Sequence, residues 1–175
     1  MKKIIIVFII GLLPVITQAQ SFAKYENMRD VDAMVMTSKM FKMLAKVDLS
    51  DDNPEAKEYL ELIENLDEIK MFTSTKASVR SEMQKDVETY LNSNSLDQLM
   101  RVKEEGKNIR FYSKSGKSDN YVSELFMFME GEKEGEPISV ILSITGQIDL
   151  SHLSRLTSDL KIPGAEELKN VEKKS

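Results

Sequence analysis

Five consecutive apolar residues, LFMFM at 125–129, constrain the fold more than any other stretch. Successive side chains on a strand point to opposite faces, so a strand apolar in both registers needs a central place or cover on both sides. The next apolar run, ISVILSI at 138–144, supplies a partner. There Ile138, Val140, Leu142 and Ile144 point one way and Ser139 and Ser143 the other, with Ile141 the exception. Upstream, LMRVK (99–103) and IRFYS (109–113) flank a tight hairpin at Gly106. Polar turns at 114–120 and 131–137 separate the remaining strands, and four strands joined this way predict an antiparallel meander.

The first half has a helical period instead. Residues 31–47 read as one helix, with Met36, Met40 and Met43 within about 60° on one face and Lys39, Lys42 and Lys46 on a solvated edge. Pro54 starts a second, amphipathic helix with Tyr59, Leu62, Ile63 and Leu66 on its apolar face. Residues 66–73 alternate as a strand, and a third helix follows with the stripe Val79, Met83, Val87, Tyr90, Leu91. Asp149 is expected to cap a final helix carrying Leu150, Leu153, Leu156 and Leu160 inward, ended by Pro163-Gly164. The predicted fold is therefore α+β: a single domain over residues 20–164, with a roughly five-stranded, mainly antiparallel sheet packed against helices, and a mobile charged tail at 165–175.

The N-terminal MKKIIIVFIIGLLPVITQAQ has two lysines, a short apolar run, Pro14 and a small-x-small end at Thr17-Gln18-Ala19. This is the pattern of a signal peptide, residues 1–19, cleaved near Ala19 to give a periplasmic or secreted protein. The run is shorter than the about 20 residues needed to span a bilayer, so no membrane span is expected after cleavage. The chain has no cysteine, which removes thiolate chemistry, disulfides and the lipid attachment of a lipoprotein. Cleavage takes Lys2 and Lys3 and no acid, so 24 basic and 29 acidic side chains become 22 and 29, a net charge of −7. That sign repels phosphate backbones, and nucleic acid is not an expected partner.

Few residues invite hard chemistry. The thioethers of Met36, Met40 and Met43 are the sharpest candidates, since sulfur ligands bind Cu(I), but methionine is also a common filler of cores. Asp149 and His152 stand three apart at a helix start, where an acid is favoured with or without a metal, and no second histidine completes a zinc shell. Ser115 and Ser118 sit in SGKSDN, a sequence with the composition of a plain turn, and neither a G-x-S-x-G elbow nor a phosphate loop is present. Asp48, Asp51, Asp52 and Glu55 fail the EF-hand order, because Asn53 stands at the glycine position and Tyr59 at that of the bidentate glutamate.

The segments LDQLMRVKEEGKNIRFYSKSGK, YVSELFMFMEG and ISVILSITGQIDLSHLSRL, with the leader and the Met/Phe-rich segment after it, resemble a bacterial domain-of-unknown-function family, number 4252, of short exported proteins. The resemblance implies export and one small α+β domain, and it transfers no catalytic residue or cofactor. The leading expectation is a non-enzymatic envelope protein that binds an envelope partner or a second copy through Met34, Met36, Met40 and Met43. Two alternatives stay open: a small-ligand or Cu(I) binder using the methionine face, and a hydrolase whose acids or serines meet only in the fold.

Overall fold

The computed structural model describes residues 22–47, 63–104, 106–118 and 120–150. The leader, the helix expected from Pro54, His152, the final helix and the charged tail lie wholly or mostly outside the described residues. A 3-10 helix, Ala23–Asn27, comes first, followed by β1 (Asp32–Thr37), α1 (Ser38–Val47), β2 (Leu66–Ser74), α2 (Ala77–Ser93), β3 (Asp97–Glu104), β4 (Lys107–Ser115), β5 (Tyr121–Lys133) and β6 (Glu136–Asp149). The strands form one sheet in the order β1-β2-β6-β5-β4-β3, and every neighbouring pair is antiparallel.

The architecture is broadly α+β, with six strands in place of the expected five. The additional strand is β1, taken from the front of the expected 31–47 helix. Residues 32–37, DAMVMT, alternate along the sheet, and only residues 38–47 are helical. The left-handed Asp30, φ 66°, turns the chain into β1. The meander β3-β4-β5-β6 follows the expected order, and β5 and β6 are both flanked by other strands, as the doubly apolar LFMFM requires. The β5–β6 turn is tighter than the expected 131–137. Lys133 pairs with Glu136, and Glu134 and Gly135, at φ 55° and 83°, form the two-residue loop. Pro137 is accommodated within β6 because β2 ends at the Ser74–Ser139 pair, leaving β6 unpartnered on that side. At the other end β6 runs on to Asp149, paired with Tyr121, so Asp149 belongs to a strand.

The sheet buries both faces. On one, α1 contributes Phe41 to a cluster with Ile63, Leu66, Ile69, Leu125, Met127, Leu142 and Ile144. Strand register aligns Met34, Met71, Leu142, Met127, Phe111 and Met100 in a single row across all six strands of this face. On the other face, the expected stripe Val79, Met83 and Val87 of α2 meets Phe72, Phe126 and Ile141, joined by Phe22 and Tyr25 of the N-terminal segment. Phe22 stacks on Phe126 at 5.6 Å, and Tyr25 lies 5.8 Å from Phe72.

Candidate partner surface on the free edge of the sheet

Polar groups on the α2 face act as clamps. Tyr25 is fully buried and donates its hydroxyl hydrogen bond to Asp86 of α2, while Lys24 bridges Glu82 and Asp86 at 2.6 Å each. Lys70 of β2 pairs with Glu26 at 3.0 Å and Glu68 at 3.1 Å, tying the 3-10 helix to the sheet. Beneath the end of α2, buried Glu124 accepts from Tyr90 at 2.7 Å to each oxygen and from Ser143 at 3.1 Å. Burial first, then these hydrogen bonds and the neighbouring carboxylate charges, push both tyrosine hydroxyls above their ordinary pKa.

Beyond the end of α2 the same face is polar. Arg110 reaches Glu130 at 3.5 Å, Asn108 donates to Glu130 at 3.2 Å, and Arg101 donates to Asn108 at 2.9 Å. The Arg110 guanidinium lies 5.1 Å from the centroid of Phe128, and its Nε is the single buried side-chain polar atom without a hydrogen-bond partner among the described residues. The carboxylates of Glu26, Glu68, Glu82, Asp86, Glu124 and Glu130 thus each answer a neighbouring cation or hydroxyl. Among the described residues no three of His, Cys, Asp and Glu gather as a metal-binding group, and no helix is long and apolar enough to cross a membrane.

The four methionines singled out by sequence divide into two pairs. Met34 and Met36 lie on β1 opposite Met71 and Ile69, partly buried against the α1-face core. Met40 and Met43 lie three apart on α1, on the side away from buried Phe41, and are 43% and 57% exposed. The helical face expected to carry Met36, Met40 and Met43 together does not form, because the chain changes from strand to helix between Thr37 and Ser38. Lys39 and Lys42 are exposed, as expected of the solvated edge. Ser115 ends β4 and Ser118 lies in the following turn; Ser118 C=O accepts from the Tyr121 N–H, the bonding of an ordinary turn.

Sequence reasoning missed Val35. It is 38% exposed on β1, the outermost strand, on the sheet face opposite α1. The signal was present in the period-2 pattern of DAMVMT and in Thr37-Ser38, residue types that favour a helix start. The large exposed hydrophobic side chains among the described residues are Val35, Met40, Met43 and Leu99. Three of them fall between positions 35 and 43, on one edge of the sheet and the helix that leaves it. The opposite edge, β3, carries Leu99 but also Asp97, Arg101, Lys103 and Glu104, charges of the kind that guard an edge against pairing. β1 has one charge, Asp32, at its first position.

Nothing among curated proteins or solved structures matches the chain. Its residues 25–156, from the 3-10 helix to just past β6, match the family model described as Domain of unknown function (DUF4252), and the chain belongs to that family.

Proposed function

We propose that the protein is a non-enzymatic binding module of the cell envelope whose partner surface is the outer edge of β1 together with the exposed side of α1. The observation that carries this reading is the concentration of Val35, Met40 and Met43 at an edge lacking the charges that protect β3. An unguarded strand edge offers a row of backbone donors and acceptors, and flexible methionines adapt to the surface set against them. The carboxylates described above have structural partners, which favours binding over hydrolysis.

The test is photo-crosslinking in the producing cell, with a benzophenone amino acid placed at Val35, Met40, Met43 or, as control, exposed Gln84 of α2. Protein adducts are expected from the first three positions and not from Gln84. Absence of any adduct from 35, 40 and 43 refutes the reading. Export belongs to the same proposal: N-terminal sequencing of the mature protein should begin at Gln20, and an uncleaved leader would refute that part.

A further inference from the structure

We infer that the partner of the β1 edge is a second copy of this chain, paired antiparallel strand to strand about a two-fold axis at Val35. This inference rests on the binding reading above and names its occupant.

The edge is self-complementary in a way that selects one register. Met34 and Met36 face the core on the α1 side, whereas Ala33, Val35 and Thr37 face the other side. Paired residues must share a face, so a symmetric pairing must place a residue, not a peptide bond, on the axis. With Met34 on the axis, Asp32 lies opposite the partner's Met36 on the core side, which buries a carboxylate against a thioether. With Met36 on the axis, Met34 falls opposite the partner's Ser38, which has left the strand for α1, and the ladder shrinks.

Placing Val35 on the axis avoids both faults. Val35 meets its own copy, Met34 meets the partner's Met36 on the core face, and Ala33 meets the partner's Thr37. Asp32 then falls beside the partner's Ser38 and Lys39, at the start of α1, where a negative charge meets both a lysine and the positive end of the helix. The same contact forms twice by symmetry.

A two-fold axis normal to the sheet keeps like faces on one side. Both α1 helices therefore lie over the same face of the joined sheet, flanking the seam, and Met40 and Met43 of each copy become available to the other. The ladder alone is about 17 Å long, at roughly 3.4 Å for each of its five positions, so the helices enlarge an otherwise narrow contact. The product is a continuous sheet of twelve strands whose outer edges are both β3, the guarded strand.

The test uses the mature full-length chain. Sedimentation equilibrium should give the mass of two chains, and Val35→Lys, which sets two ammonium groups face to face on the axis, should weaken association by about 100-fold or more. Circular dichroism of Val35→Lys should match wild type, since the side chain is already solvent-facing, while the Tm of the wild type should rise with protein concentration and that of Val35→Lys should not. The chain has no cysteine, so Val35→Cys with a short bis-maleimide should give a cross-linked dimer, and Leu99→Cys on β3 should not. A monomeric wild type overturns the self-pairing proposal while leaving the binding reading intact, provided position 35, 40 or 43 cross-links to a different protein in the cell. A dimer that survives Val35→Lys, or one cross-linked through Leu99→Cys and not Val35→Cys, overturns it as well.

Discussion

Tyr90→Phe isolates one hydroxyl that holds a buried charge. Glu124 is 5% exposed, and its partners are the Tyr90 hydroxyl at 2.7 Å to each oxygen and Ser143 at 3.1 Å. The Tyr90 ring packs 5.0 Å from Phe22 and 5.2 Å from Phe126, contacts that phenylalanine retains. The substitution therefore removes the hydrogen bond and little else, leaving Glu124 with Ser143 alone. A hydrogen bond to a charged group contributes about 1.5–3 kcal/mol, and leaving a buried charge under-satisfied sits at the upper part of that range. We expect a loss of about 2–3 kcal/mol, which at about 2–4 °C per kcal/mol for a domain of this size lowers Tm by about 4–12 °C. Urea unfolding at pH 7 measures it, and a double-mutant cycle with Glu124→Met shows its origin. Once the carboxylate is gone, Tyr90→Phe should cost about 0.5 kcal/mol or less, giving a coupling of at least about 1.5 kcal/mol. Equal costs in the two backgrounds, or a cost below about 0.5 kcal/mol in the wild type, would refute the claim that this hydroxyl stabilises the buried carboxylate.

The tyrosines also predict an alkaline limit. An unfolded tyrosine releases its proton near pH 10 while Tyr25 and Tyr90 retain theirs, so their stabilisation is complete below that pH and is lost above it. Each steepens the fall by about 1.4 kcal/mol per pH unit, and in urea unfolding above pH 10 Tyr90→Phe should remove about half of the combined slope. Gly146→Ala should destabilise by about 2 kcal/mol or more, because φ is +141° and the new Cβ would stand 2.4 Å from the Asn65 carbonyl oxygen; a calorimetric Tm equal to wild type would contradict this. Met127→Ala, in the fully buried row between Phe111 and Leu142, should cost about 2–5 kcal/mol, whereas Met40→Ala and Met43→Ala should stay within about 0.5 kcal/mol in the monomeric Val35→Lys background.

The second half of the chain was legible because its pattern reported burial directly. LFMFM is apolar in both parities, and β5 has a covered face on each side; ISVILSI carries Ile138, Val140, Leu142 and Ile144 to one core and the exceptional Ile141 to the other. The α2 stripe was equally plain, since Val79, Met83 and Val87 repeat at four residues along an otherwise polar helix. The Glu124 clamp was not legible: Tyr90 and Ser143 are 34 and 19 residues from Glu124, and the β-bulge between Val122 and Glu124 breaks the alternation there, leaving Val122 in the α1-face core and Glu124 on the face of Phe126 and Phe128. The end of β6 was not legible, because Asp149 also suits a helix cap; Gly146, at φ +141°, is the kink that lets β6 pass the Asn65 carbonyl and continue to Asp149.

The misread first element has a physical cause that bears on function. Apolar residues at 34, 36, 40, 41 and 43 satisfy a helical wheel as a group, but the wheel mixes two alternations that belong to different elements. Met34 and Met36 obey period 2, and Phe41 alone among residues 38–43 turns into the core. Averaging them made a broad apolar helix with no free edge. Separating them yields an edge strand whose core-facing side chains open the row that runs through Met71, Leu142, Met127, Phe111 and Met100 to the far edge. That row has a neighbour at every internal strand and ends at β1, the outermost strand among the described residues. Pairing β1 with its own copy sets the partner's Met36 beside Met34 and carries the row across the seam with the same side-chain chemistry on both sides. A helix covering 31–47 could bind a partner only through its surface; a strand there can extend the core itself.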